Sequence, residues 1–392
     1  MEIVKIPAEE YKARIAKAAQ KAAEMGLDVL VVNSTESDFA NVRYFSGYWP
    51  VFERAGVAIA ANGESALMVG FESKVFAADF GYIPEDRIFV VKEYRESADP
   101  TLPEANPSTF RDVFKALGVT GENIKIGIAS WIDTTLVIMD GIKESYPKAE
   151  IVRADRITIE LRQIKSENEL ACMRQGFKIV EYATKKVIEA IHPGVTECQM
   201  VGVAQQAIYE KGAEYEGLPM YVFSEKSTSH AISRARVDRV IGKNDIVQLN
   251  LSARVDGYSP SVGIPICMGK LSPERRAFIE FGLEAHNWTV KQLKAGIPAC
   301  SVAKDFYQMY VDTGHKDNFL YGPCHGTGMI EVEAPWMETS SNYPLQPNMT
   351  FQVDTFVTTP EFGLRWEKGI VITKDGCESL SSPIGTIYEL GF

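Results

Sequence analysis

Around Thr158 the hydrophobic pattern of this chain changes its order, and that change constrains the fold more than any other feature. Before it, helix and strand signals alternate. Residues 9–25 carry Tyr11, Ile15, Ala18, Ala19 and Ala22 at helical spacing, and Gly26 stops the run. Asp28, Val29, Leu30, Val31 and Val32 then read as a buried strand. Further strands are expected at 57–61, 65–69, 87–91, 124–128 and 151–153, with helices at 108–117 and 134–146. After Thr158 helices come first and strands later. Ser166 is an N-cap with Glu169 three residues on, a capping box that opens a helix to about Ile191. Helices 196–211, 272–294 and 301–313 surround a strand-rich stretch at 220–268, and a second strand-rich stretch closes the chain from Met349. Alternation predicts an α/β domain; separate runs predict an α+β domain. The 392 residues are too many for one core, so two domains are expected, 1–157 and 158–392.

Several function classes are excluded early. Asn33-Ser34-Thr35 follows the first strand where a dinucleotide fold needs Gly-x-Gly, which disfavours nucleotide binding. The net charge of -11 opposes a nucleic-acid partner, because phosphate binding needs a basic stripe. No apolar run approaches the roughly 18 residues of a membrane span, so no membrane partner is expected. The stretch Met1 to Pro7 lacks the basic-then-apolar order of a secretory signal. Six cysteines lie far apart with no CxxC pair, a pattern of reduced thiols that points to the cytoplasm. His192, His286 and His315 read as helix-end or surface residues without function.

Three stretches of the second half resemble the creatinase/prolidase/methionine aminopeptidase family in order and spacing. Leu161-Arg162-Gln163-Ile164-Lys165-Ser166-Glu167-Asn168-Glu169-Leu170 looks like the opening of its catalytic domain, with Pro193-Gly194-Val195-Thr196-Glu197 at the expected distance. His325-Gly326-Thr327-Gly328 follows, with Glu333 and Pro335 behind it. Gly363-Leu364-Arg365-Trp366-Glu367 and then 370–376 look like its closing hairpin. The resemblance implies an α/β N-terminal domain and an α+β pita-bread catalytic domain.

Metallopeptidases of this family hold two divalent ions with two Asp, one His and two Glu. Hard carboxylates and an imidazole bind such ions, which bridge and acidify a water. Carried over position by position, the two Asp fall on Asn250 and Ser261, the His on His325, the first Glu on Asp354 and the last on Glu367. Asn cannot neutralise a dication and Ser is a poor ligand, so the expectation is no metal and no cofactor. Val332 also replaces a second histidine of the metallopeptidases.

Creatinase works in this fold without a metal, and its pattern too has Asn at the first Asp. His230, just before the strand of Asn250, matches its catalytic histidine, although the metallopeptidases also have a substrate-contacting histidine there. Phe52-Glu53-Arg54 resembles the Phe-x-Arg that creatinase lends to a neighbouring subunit, where the Arg holds a substrate carboxylate. Two positions depart from creatinase: Gly263 stands where a guanidinium-binding Glu belongs, and Lys368 where a His belongs.

The resemblance therefore implies a metal-independent, creatinase-like hydrolase of a C–N bond in a small carboxylate-bearing molecule other than creatine. His230 would be the general acid/base, and Asp354 and Glu367 would hold a cationic group or position the water. His325 and Asn250 would donate hydrogen bonds to the developing oxyanion or orient those carboxylates. Phe52, Arg54, Asn250 and Ser261 would bind substrate, in a homodimer. One alternative is a metal-dependent Xaa-Pro dipeptidase or aminopeptidase; another is a non-catalytic family member.

Overall fold

The computed structural model describes residues 2–95, 106–382 and 386–392. The chain divides into two compact units, Ile6–Arg162 and Gln163–Phe392, the second joined by Met1–Lys5.

In the first unit the elements run α1 (Ala8–Glu24), β1 (Val29–Ser34), α2 (Ala40–Ser46), β2 (Ala55–Ala60), β3 (Ser65–Val69), α3 (Lys74–Phe80) and β4 (Ile88–Val90). They continue with α4 (Phe110–Ala116), β5 (Lys125–Ala129), α5 (Leu136–Ser145), β6 (Glu150–Arg153) and α6 (Asp155–Arg162). The sheet order is β4-β3-β2-β1-β5-β6. β2 is antiparallel to both β1 and β3, and the remaining pairs are parallel. Its core packs Val29, Val31, Ala58 and Met68 of the sheet against Val113, Phe114, Ile138 and Ile142 of α4 and α5.

Three helices here, α2, α3 and α6, have no counterpart in the sequence reading. Every residue of α2 is buried, so no polar face marks the helical period; α3 buries only Ala77, so no apolar stripe does. α6 runs across the 157/158 division, and the unit closes at Arg162.

The second unit opens with α7 (Glu167–Ala190) and α8 (Glu197–Glu210), each started by the reciprocal capping box its sequence carries, Ser166 with Glu169 and Thr196 with Gln199. Then come β7 (Tyr221–Ser224), β8 (Ile246–Ser252), β9 (Ser261–Cys267), α9 (Pro273–Gln292) and α10 (Ala299–Asp312). The chain ends with β10 (Cys324–Gly326), β11 (Glu333–Met337), β12 (Thr350–Thr358), β13 (Gly363–Ile372), β14 (Cys377–Ser379) and β15 (Tyr388–Glu389). The sheet order is β11-β10-β12-β13-β9-β8-β7, with β14 beside β13 and β15 beside β9.

β12 and β13 pair over nine residues, which fixes the register of everything they carry. α9 closes one side of them. Its Gly282 lets the helix approach Leu364, Trp366 and Val357, and the Trp366 indole donates to Ile279 O at 3.2 Å. His286, read as a surface residue, is buried here; its Nδ1 lies 3.1 Å from Trp366 O. Burial first, and then the Lys368 charge, push its pKa down to about 3, so it stays neutral.

Candidate active site

Alternation along paired strands brings distant residues onto one row. Asn250 of β8 lies opposite Gly263 of β9, Gly263 opposite Glu367 of β13, and Glu367 opposite Asp354 of β12. Gly263 leaves the gap that joins the row. A Cβ there would stand 2.7 Å from Asn250 Nδ2 and 2.8 Å from Glu367 Cβ, so only glycine lets Asn250 donate to Glu367 Oε2. Ser261 and Gln352, two residues along their strands, extend the same face. His325 of β10 pairs with Gln352. The five positions carried over from the family pattern thus converge.

Asn250 and Ser261 are fully buried, and the hydrogen bonds described for them go to protein groups. Arg365 N donates to Gln248 Oε1 at 2.7 Å, which fixes the Gln248 amide. Gln248 Nε2 then donates to Asn250 Oδ1 at 2.8 Å, so Asn250 turns its NH2 toward Glu367. Ser261 Oγ lies 2.8 Å from Glu367 Oε1 and 2.9 Å from Glu331 Oε1, and accepts from Gln352 Nε2 at 2.7 Å.

Glu331 was not anticipated. It comes from the turn between β10 and β11 and is buried. That turn is anchored by a buried ion pair, Lys165 Nζ to Glu333 Oε1 at 2.9 Å, while Ile330 N donates to Glu333 Oε2 at 3.3 Å. The sequence signal was an acidic residue six positions after His325. It is invisible to carry-over because the family pattern assigns no ligand there.

Tyr321 was missed as well. Arg365 Nε stands 3.0 Å from Asp354 Oδ1, and Tyr321 O–H donates to Asp354 Oδ2 at 2.7 Å. Arg365 Nη2 donates to Tyr321 Oη at 2.8 Å and to Ala231 O at 3.0 Å. Burial works against the Arg365 charge, but Asp354, Tyr321 and Glu367 outweigh it and hold its pKa above the usual guanidinium range. Glu367 lies well above the usual carboxyl range, first from burial and then from the charges of Glu331 and Asp354. Burial raises Glu331 too. Three carboxylates against one guanidinium leave the cluster short of positive charge.

His325 Nδ1 donates to Gly326 O at 3.0 Å. The other ring nitrogen, Nε2, stands 3.9 Å from both Glu331 Oε1 and Asp354 Oδ2. His230 lies outside the cluster, exposed at the end of a short 3-10 turn. Its neighbour Ala231 is tied to the cluster through Arg365. Phe52 and Arg54 belong to the first unit, on the segment entering β2. Phe52 is exposed with φ 59, and Arg54 N donates to Tyr94 O at 2.9 Å. Cys324 packs in a hydrophobic cluster with Met337, Phe351 and Val353.

The family's two-ion set does not fit these residues. Asn250 presents a donor, Ser261 supplies no charge, and Asp354 is taken up by Arg365 and Tyr321.

Fold and site define a pita-bread hydrolase with a creatinase/prolidase-type N-terminal domain. The model of metallopeptidase family M24 matches residues 171–374, and that of the creatinase/prolidase N-terminal domain matches residues 14–164. The chain belongs to metallopeptidase family M24, and is a hydrolase acting on C–N bonds. It is 24% identical to an Xaa-Pro dipeptidase of Pyrococcus furiosus over 87% of this chain and 90% of the relative. It is 25% identical to an uncharacterized peptidase of Bacillus subtilis, over 91% and 94%. In fold it is similar to an X-Pro aminopeptidase of Thermotoga maritima, with TM-score 0.81 at 21% identity, covering 95% of this chain and 99% of the other.

The expectation of a metal-independent, creatinase-like reaction is corrected by these findings: the similar proteins of named activity are Xaa-Pro peptidases within a metallopeptidase family. The physical reason for the error is that ligands were counted along the sequence. Glu331, a buried carboxyl group brought to Ser261 by a turn, lay outside the five positions counted.

Proposed function

We propose that this chain hydrolyses the Xaa-Pro bond of short peptides, as the Xaa-Pro dipeptidases it is similar to are named for doing. The observation that carries the reading is the convergence of His325, Asp354 and Glu367 on one buried cluster. These are three of the five positions that the family's metallopeptidases use, and the relatives of named activity match over nearly their whole length.

Asp354, between Arg365 and Tyr321, shapes the electrostatic field at the cluster. Asn250 and Ser261 orient Glu367 through hydrogen bonds. His230, exposed beside the Arg365-bound Ala231, contacts the substrate. Arg54, with Phe52, takes the substrate carboxylate, for which a planar guanidinium suits bidentate capture. That role implies a homodimer in which these two residues serve the partner's site. A divalent ion, when bound, supplies Lewis-acid polarisation and an acidified water. The six free thiols fit a reducing cytoplasm.

The test is turnover of an Xaa-Pro dipeptide panel, with and without added Mn(II) after chelation. Xaa-Pro cleavage that needs the ion supports the reading. No cleavage of any Xaa-Pro peptide, with or without it, rejects the reading.

A further inference from the structure

We infer that this chain has moved its metal centre: a single divalent ion is held by His325, Glu331 and Glu367, with Glu331 standing in for the carboxylate that Ser261 lacks. The inference rests on the peptidase reading for its chemistry but not for its geometry.

One ligand atom from each of these three residues lies within 4.8 Å of the others, and all three side chains are buried. Donors about 2.0–2.2 Å from a shared ion stand about 3–4 Å apart, so this spacing leaves room for one ion. The acidic groups alone would prove nothing. The independent observation is His325. Its Nδ1 proton is committed to Gly326 O, which leaves Nε2 facing carboxyl oxygens 3.9 Å away, too far to hydrogen-bond. Among the described residues no donor reaches that nitrogen. A buried side chain whose outer nitrogen faces two carboxyl oxygens beyond hydrogen-bond reach is placed to share a cation with them.

Glu331 fills the role by position. Its Oε1 lies 2.9 Å from Ser261 Oγ, and both meet Glu367 on the same face. A carboxylate growing from residue 261 would enter the space that Glu331 now occupies. The turn is built to deliver it, through the buried Lys165–Glu333 pair and the Ile330 N–H bond. Asn250 is excluded as a ligand by its own partners, and Asp354 falls outside the group of atoms that lie within 4.8 Å of one another. Asn250 is locked by Gln248 with its NH2 inward, and Asp354 is engaged by Arg365 and Tyr321. Two carboxylates and an imidazole, with no thiolate, suit Mn(II), Co(II), Fe(II) or Zn(II).

The experiment titrates metal-stripped full-length protein with Mn(II), reading free ion by electron paramagnetic resonance. One equivalent is expected to bind. Glu331→Gln should weaken binding by roughly 100-fold or more, exceeding the about 10–100-fold typical of residues that only orient a ligand. Asp354→Asn should stay within about tenfold of wild type, as a neighbour rather than a ligand. Should Glu331→Gln misfold, Glu331→Asp keeps the charge, withdraws the oxygen by one methylene and is read the same way. Ser261→Asp added to Glu331→Gln should recover binding. Two equivalents, no binding, or a Glu331→Gln variant that binds like wild type would overturn the inference. A double variant no better than the single would overturn the stand-in role. Xaa-Pro turnover is scored separately. One ion bound through Glu331 without turnover sinks only the peptidase reading; turnover without Glu331-dependent binding sinks only this one.

Discussion

Asp354 and Glu367 sit opposite each other on β12 and β13, yet their surroundings differ in kind. Asp354 has a guanidinium 3.0 Å from one oxygen and a phenol 2.7 Å from the other. Glu367 has the neutral donors Asn250 and Ser261, and it meets a second carboxyl group, Glu331, with which it shares a hydrogen bond. Asp354 thus has its counter-charge beside it, although no hydrogen bond closes between Arg365 Nε and its Oδ1. Glu367 is paired with Glu331, and two buried carboxyl groups this close need a shared proton or a cation from outside between them. One strand register thus holds a structural carboxylate beside a ligand carboxylate, and the difference lies wholly in what the neighbouring elements supply.

The largest expected effect falls on the unfinished side. His325→Ala should cut Xaa-Pro turnover by roughly 1000-fold or more, beyond the loss seen when only a ligand's orienting partner is removed. His230→Ala should cost less, about 10- to 100-fold and chiefly in KM, because a substrate contact acts on the ground state as well. Steady-state kinetics on one dipeptide decide it; the reverse ranking would return the chemistry to His230.

On the finished side the expected effect is stability. Arg365→Met removes the cation from a buried carboxylate and should destabilise the protein by about 3–5 kcal/mol in denaturant unfolding. A change near zero would mean that Asp354 is as unfinished as Glu367, and the contrast between them would collapse.

Much of this site was legible in the sequence, and what was missed follows one rule. His325, Asp354 and Glu367 could be placed because each lies on a strand whose register follows from its motif. The helix starts at Ser166 and Thr196 were legible because a capping box is local. Glu331 and Tyr321 are defined by what they meet across the fold, and nothing in the spacing of the chain records that. Gly263 shows the same limit from the other side. As a sequence position it was a missing substrate ligand; in the sheet it is the gap through which Asn250 reaches Glu367.

That gap gives a smaller effect. Gly263→Ala forces a methyl between Asn250 and Glu367 and should cost about 1–3 kcal/mol, as overpacking does. Thermal unfolding measures it, and a neutral result would mean that the row is loosely held.

The smallest effect comes from a third carboxylate without a cation, Asp133 in the first unit. Burial first, and then the charges of Asp38 and Asp155, raise its pKa to about 6. A carboxyl raised in the folded state binds more protons folded than unfolded, so stability falls as pH rises from about 4 to about 6. Asp133→Asn should therefore stabilise at pH 7 by about 0.5 kcal/mol, kept small because the group is half in water. The gain should fade as pH drops toward 4. A gain constant across that range would assign it to something other than the charge.

The contrast between Asp354 and Glu367 is tested most directly by the anomalous scattering of Mn(II) in crystals of the full-length protein. The account predicts one peak in contact with His325 Nε2, Glu331 and Glu367, and none bonded to Asn250 or Ser261. Two adjacent peaks, or a single peak out of reach of Glu331, would contradict it.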